Sequence, residues 1–250
     1  MAAVNVALAA AATLVSLAFM LNTLDRYLRR RRPHEFAWTV ALGLFALGSA
    51  ALWWAEGNGW SLATFRVFYL AGAILNVPWL ALGTVYLLNG ERRGRQVQRV
   101  LVAITWLSVG IVLFSPARLP VVGDEMPIGK EIFGVAPRVL AAVGSGVSAV
   151  YIIGGALWSA WRVVRYRNAP GRLAFGNVLI AVGTLILSAS GTLAGRLGKD
   201  RAFAVTLLVG IVVLFAGFLV SPSRKQPVPR HADPPEPEPV TRVSVAAASR

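Results

Sequence analysis

Cysteine is absent from all 250 residues, which excludes disulfides, thiolate metal sites and a thiol nucleophile. Charge is scarce at 14% of residues, and it is lopsided, with 11 acids against 25 bases. Histidine occurs only as His34 and His231, and lysine only as Lys130, Lys199 and Lys225. None of these five residues falls within a long apolar run. Bis-histidine haem ligation needs imidazoles inside a helix bundle, and retinal-type Schiff-base chemistry needs an intramembrane lysine, so neither is expected. The acids all lie in connections, at the ends of apolar runs or in the C-terminal segment. Proton-coupled transport through an intramembrane carboxylate and metal-assisted or serine hydrolysis therefore lack their usual groups. The sequence reads as non-enzymatic, with no cofactor and no metal.

What the chain does have is hydrocarbon. It is 56% hydrophobic with a mean hydropathy of +0.62, a balance that belongs to membrane proteins. The net charge of +14 does not indicate nucleic acid, because the arginines sit between apolar runs rather than on a polar domain. Seven stretches approach the ~20 apolar residues that cross a bilayer. They cover 2–22, 36–55, 62–88, 99–115, 139–161, 173–194 and 202–220. No basic residue precedes the first, so it is expected to remain as an anchor rather than be cleaved.

The connections alternate in charge. Segments 23–35, 89–99 and 162–172 hold five, four and four arginines. The segments between them hold "EGNGW" with no base, 116–138 with three bases against three acids, and "GRLGKDR", the one outside loop rich in bases. Basic loops stay in the cytoplasm, so the expectation is an all-α seven-transmembrane-helix bundle in the cytoplasmic (plasma) membrane, N-terminus out and C-terminus in. Trp53, Trp54, Trp60, Trp158 and Trp161 fall near span ends, where indoles favour the interface. Asp25-Arg26-Tyr27 matches a receptor triplet found at the end of a third helix, but here it ends the first. It reads as a charged stop, and Arg29, Arg30, Arg31 and Arg32 after it as contacts to anionic headgroups, each contributing about 1 kcal/mol.

Residues 1–220 form the membrane domain. From Ser221 the chain contains seven of the 14 prolines, so 221–250 is expected to be a disordered cytoplasmic tail, open to a protein partner. Segment 116–138 is the one long connection; "LPVVGDEMPI" permits a short hairpin over the bundle mouth, as a lid or as a plain connector. "RRPHEFAWTVALGLFALG" and "RNAPGRLAFGNVLIAVG" share a pattern of base, proline and helix start, and "FRVF" and "DRAF" open spans 3 and 7. A 3+1+3 parallel repeat and chance similarity both account for this.

The segments "RRRPHEFAW", "YLAGAILNVPWLALGTVYLL" and "GNVLIAVGTLILSASGTLAGRLG" resemble an uncharacterised bacterial family of seven-span membrane proteins. The resemblance covers nearly the whole membrane domain. It implies the architecture and carries no activity, ligand or catalytic residue.

The candidate ligand contacts are Arg66, Asn76, Trp79, Tyr86, Asn177, Thr184 and Ser188, taken from the polar positions of spans 3 and 6. Pro78 removes a backbone donor, so a kink and a carbonyl satisfied by a neighbour are expected. The ordinary use of such side chains is as hydrogen-bonding glue between helices, with Gly144, Gly146, Gly154, Gly155, Gly191 and Gly195 allowing close approach. Arg66 must snorkel, pair with a group such as Glu56, or meet an anionic ligand. Two functions follow: a sensor or interaction subunit with an outward cavity under 116–138, or a facilitative carrier of a small neutral or anionic solute.

Overall fold

The computed structural model describes residues 2–123, 125–165, 171–194 and 199–220. The expected tail, 221–250, lies outside the described residues, as do the side chains of Asn177 and Ser188. The architecture is all-α. Helices α1 (Ala2–Arg30) and α2 (Pro33–Asn58) are followed by a two-residue strand β1 (Trp60–Ser61), α3 (Leu62–Phe68), a π-helical segment (Tyr69–Leu75) and α4 (Asn76–Phe114). Then come β2 (Val122–Gly123), the single turn α5 (Gly129–Ile132), α6 (Val135–Arg165), α7 (Gly171–Ala194) and α8 (Lys199–Val220). Among the described residues, five helical runs are long and apolar enough to cross a membrane: Ala3–Arg30, Pro33–Asn58, Leu62–Phe114, Val135–Ser159 and Phe203–Val220.

The 53-residue run Leu62–Phe114 cannot be straight. At 1.5 Å per residue it would be ~80 Å long, against a hydrocarbon core of ~30 Å. Gly90, with φ 81° and ψ 174°, breaks it. This is a region of backbone space open essentially to glycine. The chain then doubles back, so that Trp79 Nε1 donates to Thr105 Oγ1 at 3.2 Å across 26 residues of sequence. Tyr86 bonds Gln98 across the same corner, and its ring lies where a Cβ on Gly94 would stand. Segment 89–99, which reads as a loop by charge, is therefore one turning glycine followed by helix. Glu91 and Arg95, an i,i+4 pair at 3.2 Å, extend that helix beyond its apolar part.

Helix α1 also outruns its apolar stretch. It continues through Asp25-Arg26-Tyr27 to Arg30, and only Arg31, with φ 50°, and the extended Arg32 separate it from α2. The triplet ties this corner together. Asp25 pairs with Arg29 at 2.8 Å, Arg26 lies 3.5 Å from Glu35, and Tyr27 packs on Phe36 with ring centroids 5.3 Å apart.

Close contacts fix the direction of each helix. Gly48 abuts Gly72, while Gly83 abuts the Trp38 indole, so α2 runs antiparallel to the first arm of α4. Ser145 meets Ala73 and Tyr151 meets Asn89, so α6 runs parallel to that arm. Gly183 lies against Leu214 and Gly217 against Gly176, which makes α7 and α8 an antiparallel pair. The α1–α2 corner, the Gly90 corner and the Arg165 end of α6 therefore lie at one end of the bundle. The β1–β2 pair lies at the other.

Three expectations are corrected here. Among its described residues, segment 116–138 makes no hairpin with itself. Its Val122–Gly123 pairs antiparallel with Trp60–Ser61, Trp60 opposite Gly123, which straps it to the α2–α3 connection. Trp60 is only 4% exposed and packs edge-on to Phe65 and Phe68, so it belongs to the core, whereas Trp53, Trp54, Trp158 and Trp161 are exposed. Of the glycines expected at close contacts, Gly155 meets Leu88 and Thr84, but Gly146 and Gly154 face open space. Gly83, Gly94, Gly183, Gly210 and Gly217 make further close contacts that were not expected. Gly191 and Gly195 are not placed by the described side chains.

Replacing Gly90 by alanine forces a side chain into this backbone region and should cost about 1–3 kcal/mol. Gly110→Ala is the control, since nothing lies within 4 Å of a Cβ at that helical position. Thermal unfolding in detergent should show a lowered midpoint for the first and none for the second.

Candidate functional site

The helices enclose a cavity of about 890 Å³, at the upper end of the ~300–1,000 Å³ usual for ligand pockets. It is lined by α2, α3, the π segment, the first arm of α4, α6, α7 and α8, and by Met126–Lys130 of the connection after β2. On α6 the lining runs from Arg138 to Ala149, and on α8 from Phe203 to Leu214. Eleven helical steps of 1.5 Å give a depth of ~16 Å.

Local sequence shapes this space. Within the π segment the Asn76 N–H bonds the Ala71 carbonyl, five residues back. In that register the Ala73 carbonyl is left for the nitrogen of Pro78, which has no hydrogen to give. Ser145 of α6 supplies the missing donor, its Oγ donating to Ala73 O at 2.6 Å. Pro78 thus acts as the sequence suggests, freeing a carbonyl that a neighbouring helix satisfies. The response is a π bulge rather than a simple kink, and such bulges concentrate at functional sites.

The cavity wall changes along its depth. At the β1–β2 end stand Lys130, Arg138 and Tyr69, with Gly129 lying against the Tyr69 ring. Halfway down are Ser145, Asn76 and Ser49, and the remaining wall is mainly apolar, with Leu42, Phe45, Leu80, Leu187, Ile211 and Leu214. Thr184 also lines it, its hydroxyl donating to its own helix at Ile180 O, 2.8 Å away, and Ser49 does the same to Phe45 O at 2.9 Å. Both oxygens keep acceptor capacity. Asn76 Oδ1 is buried and has no hydrogen-bond partner among the described residues.

Of the residues singled out from sequence, Asn76 and Thr184 come together on this cavity. Trp79 and Tyr86 face the other way and join the two arms of α4 through Thr105 and Gln98. Arg66 donates from Nη2 to the Ser115 carbonyl at 2.7 Å, closing the end of α4 against α3. Asn177 and Ser188 cannot be assigned to either group, since their side chains lie outside the described residues. The hydroxyls of Thr13, Ser16, Thr23 and Ser108, which were not singled out from sequence, bond carbonyls of their own helices. Tyr69, Lys130, Arg138 and Ser145 were missed. The Gly-Ser-Gly run at 144–146 was the available signal for Ser145, read only as packing.

A second site at the arginine end was also hidden. Glu35, which closes the charged connection 23–35 in sequence, occupies the first turn of α2 and is 1% exposed. Its two carboxylate oxygens make no hydrogen bond among the described residues, and the Arg26 guanidinium stands 3.5 Å away. Of Arg29–Arg32, the first pairs with Asp25 and Arg31 lies over the Tyr27 ring at 5.7 Å. Arg29, Arg30 and Arg31 are exposed. Among the described residues no group of three or more potential metal ligands occurs.

No protein-family model matches this chain, and no curated protein or solved structure matches it either.

Removal of the Arg26 guanidinium leaves the Glu35 carboxylate buried without its cation. Arg26→Ala should destabilise the protein by about 2 kcal/mol, below the 3–5 kcal/mol typical of fully buried pairs because Arg26 is partly solvated. Arg26→Ala with Glu35→Gln should recover most of that loss in thermal unfolding, and an equally unstable double variant would refute the pairing.

Proposed function

We propose that the chain is a non-enzymatic sensor or interaction subunit of the cytoplasmic membrane whose ligand occupies the cavity between the π segment, α6 and α8. Seven crossings are the natural count: the fold-back at Gly90 divides Leu62–Phe114 into two, and α7, with 24 residues, supplies another. The gathering of the described arginine clusters at one end supports an inside position for that end and an N-out, C-in orientation. On this reading Arg29, Arg30, Arg31 and Arg32 meet anionic headgroups, and the 221–250 tail is offered to a cytoplasmic partner. The likeness to the uncharacterised bacterial seven-span family fits the same scheme.

The observation that carries the proposal is the ~16 Å deep cavity itself, with its unmet Asn76 oxygen and a wall that includes a π bulge. Packed interiors are close to crystal density, and a large void forfeits contact energy. A void of this size is retained for what fills it. The same cavity serves a facilitative carrier, the second reading, in which a 3+1+3 repeat would rock about it. One observation weighs against strict repetition: the third span contains the π segment, and its counterpart α8 is α-helical from Lys199 to Val220.

Gly146 lines the cavity and has nothing within 4 Å of a Cβ position, so Gly146→Leu fills the space without a clash at that atom. Native mass spectrometry of the full chain released from nanodiscs should show a retained small-molecule adduct that this substitution removes at unchanged thermal stability. Proteoliposomes should show no flux of small neutral or anionic solutes. Flux abolished by Asn76→Leu would instead establish the carrier, and an adduct indifferent to Gly146→Leu would remove the cavity from the function.

A further inference from the structure

The cavity is polarised, and the polarity specifies a class of ligand. Its β1–β2 end is bounded by two cations, Lys130 from α5 and Arg138 from the first turn of α6, with Tyr69 beside them. No carboxylate is among the described lining residues. Glu125 and Glu131 are exposed in the same connection but do not line the cavity. Below this rim the wall presents the hydroxyls of Ser49 and Ser145 and the amide of Asn76, and elsewhere it is mainly hydrocarbon.

Resting on the reading of this cavity as the ligand site, we infer that it takes a lipid-like anion: a carboxylate or phosphate head at Lys130 and Arg138, and an apolar body lying between the π segment, α6 and α8. A wholly polar solute would have to leave water for a mainly apolar wall without enough partners, at a cost of about 1–3 kcal/mol for each unmet group. A wholly apolar one would leave the basic rim unused. An amphipathic anion satisfies both ends, and its head stays where Lys130 and Arg138 are exposed and their charges need no desolvation. The full depth of ~16 Å, rim included, suits an amphipath of about half-bilayer length. Carboxylate and phosphate heads share this chemistry; a free fatty acid and a membrane phospholipid are its two sources.

The probe is palmitic acid bearing a photoactivatable diazirine, presented to the full chain in nanodiscs of zwitterionic phosphatidylcholine. Crosslinks should map to peptides containing Ala41–Ser49, Tyr69–Leu80 or Arg138–Ala149. They should fall roughly tenfold in Lys130→Glu/Arg138→Glu, equivalent to the loss of about 1.4 kcal/mol of binding, and persist in the charge-conserving Lys130→Arg/Arg138→Lys. Unlabelled palmitate or lysophosphatidic acid should compete, with the stronger competitor identifying the source, and neutral monopalmitin should not. Labelling lost in Gly146→Leu but indifferent to charge reversal, and competed equally by monopalmitin, would overturn the anionic class while leaving the cavity as the site. Labelling unaffected by Gly146→Leu would overturn both. Thermal midpoints of all variants, compared with the unaltered chain, separate these outcomes from misfolding.

Discussion

A backbone carbonyl in hydrocarbon has no water to turn to, and the centre of this bundle is arranged around one such group. Pro78 deprives the π register of a donor, the Ala73 carbonyl is left open, and Ser145 closes it from the neighbouring helix. That bond, with the Tyr151–Asn89 contact further along, holds the height of α6 against the π segment and the first arm of α4. Gly144 lies beside Pro78 at ordinary van der Waals distance, and Gly146, two residues on, faces open space. The π bulge and the α6 wall therefore come as a pair, and the cavity opens between them. Elsewhere the same constraint is met more simply, with hydroxyls bonding the carbonyls of their own helices and glycines bringing α7 and α8 backbone to backbone.

The bundle also separates its charges. The described arginine clusters lie together because the helix directions require it: α2 antiparallel to the first arm of α4, α6 parallel to that arm. At that end the side chains are tied to one another, Asp25 to Arg29, Arg26 to Glu35 and Arg165 over the Trp161 ring at 5.2 Å. At the opposite end the cations are placed differently. Arg66 is turned inward to a carbonyl, while Lys130 and Arg138 stand at the rim of the cavity. Two basic regions of similar composition thus have different physical roles, one holding a corner and one bordering an opening.

How much of this could be read from residues alone follows from what each signal depends on. Membrane class and helical architecture depend on composition and run length, which are local, and they were legible. Pro78 was legible because the loss of an N–H is a property of the residue itself. The fold-back at Gly90 was placed only to within a polar segment, because charge marks where a helix leaves hydrocarbon and not where it stops being a helix. The burial of Glu35 was not legible for a similar reason: it closes a basic segment in sequence, but in space it lies 3.5 Å from Arg26 and is 1% exposed. The cavity was only partly anticipated. Asn76 and Thr184 are on it, but Trp79 and Tyr86, on the same span as Asn76, face the other arm of α4, and a difference of a few residues in helical phase decides between them.

A cavity open to the outside requires the arginine end to lie inside and the β1–β2 end outside. Because the chain has no native cysteine, single substitutions report sidedness without background. Arg30→Cys and Glu125→Cys place one thiol at each end, both at exposed positions. An impermeant maleimide applied to intact cells should label Glu125→Cys at once and Arg30→Cys only after permeabilisation. Labelling of both in intact cells, or of Arg30→Cys alone, would contradict the orientation and with it the outward-facing cavity.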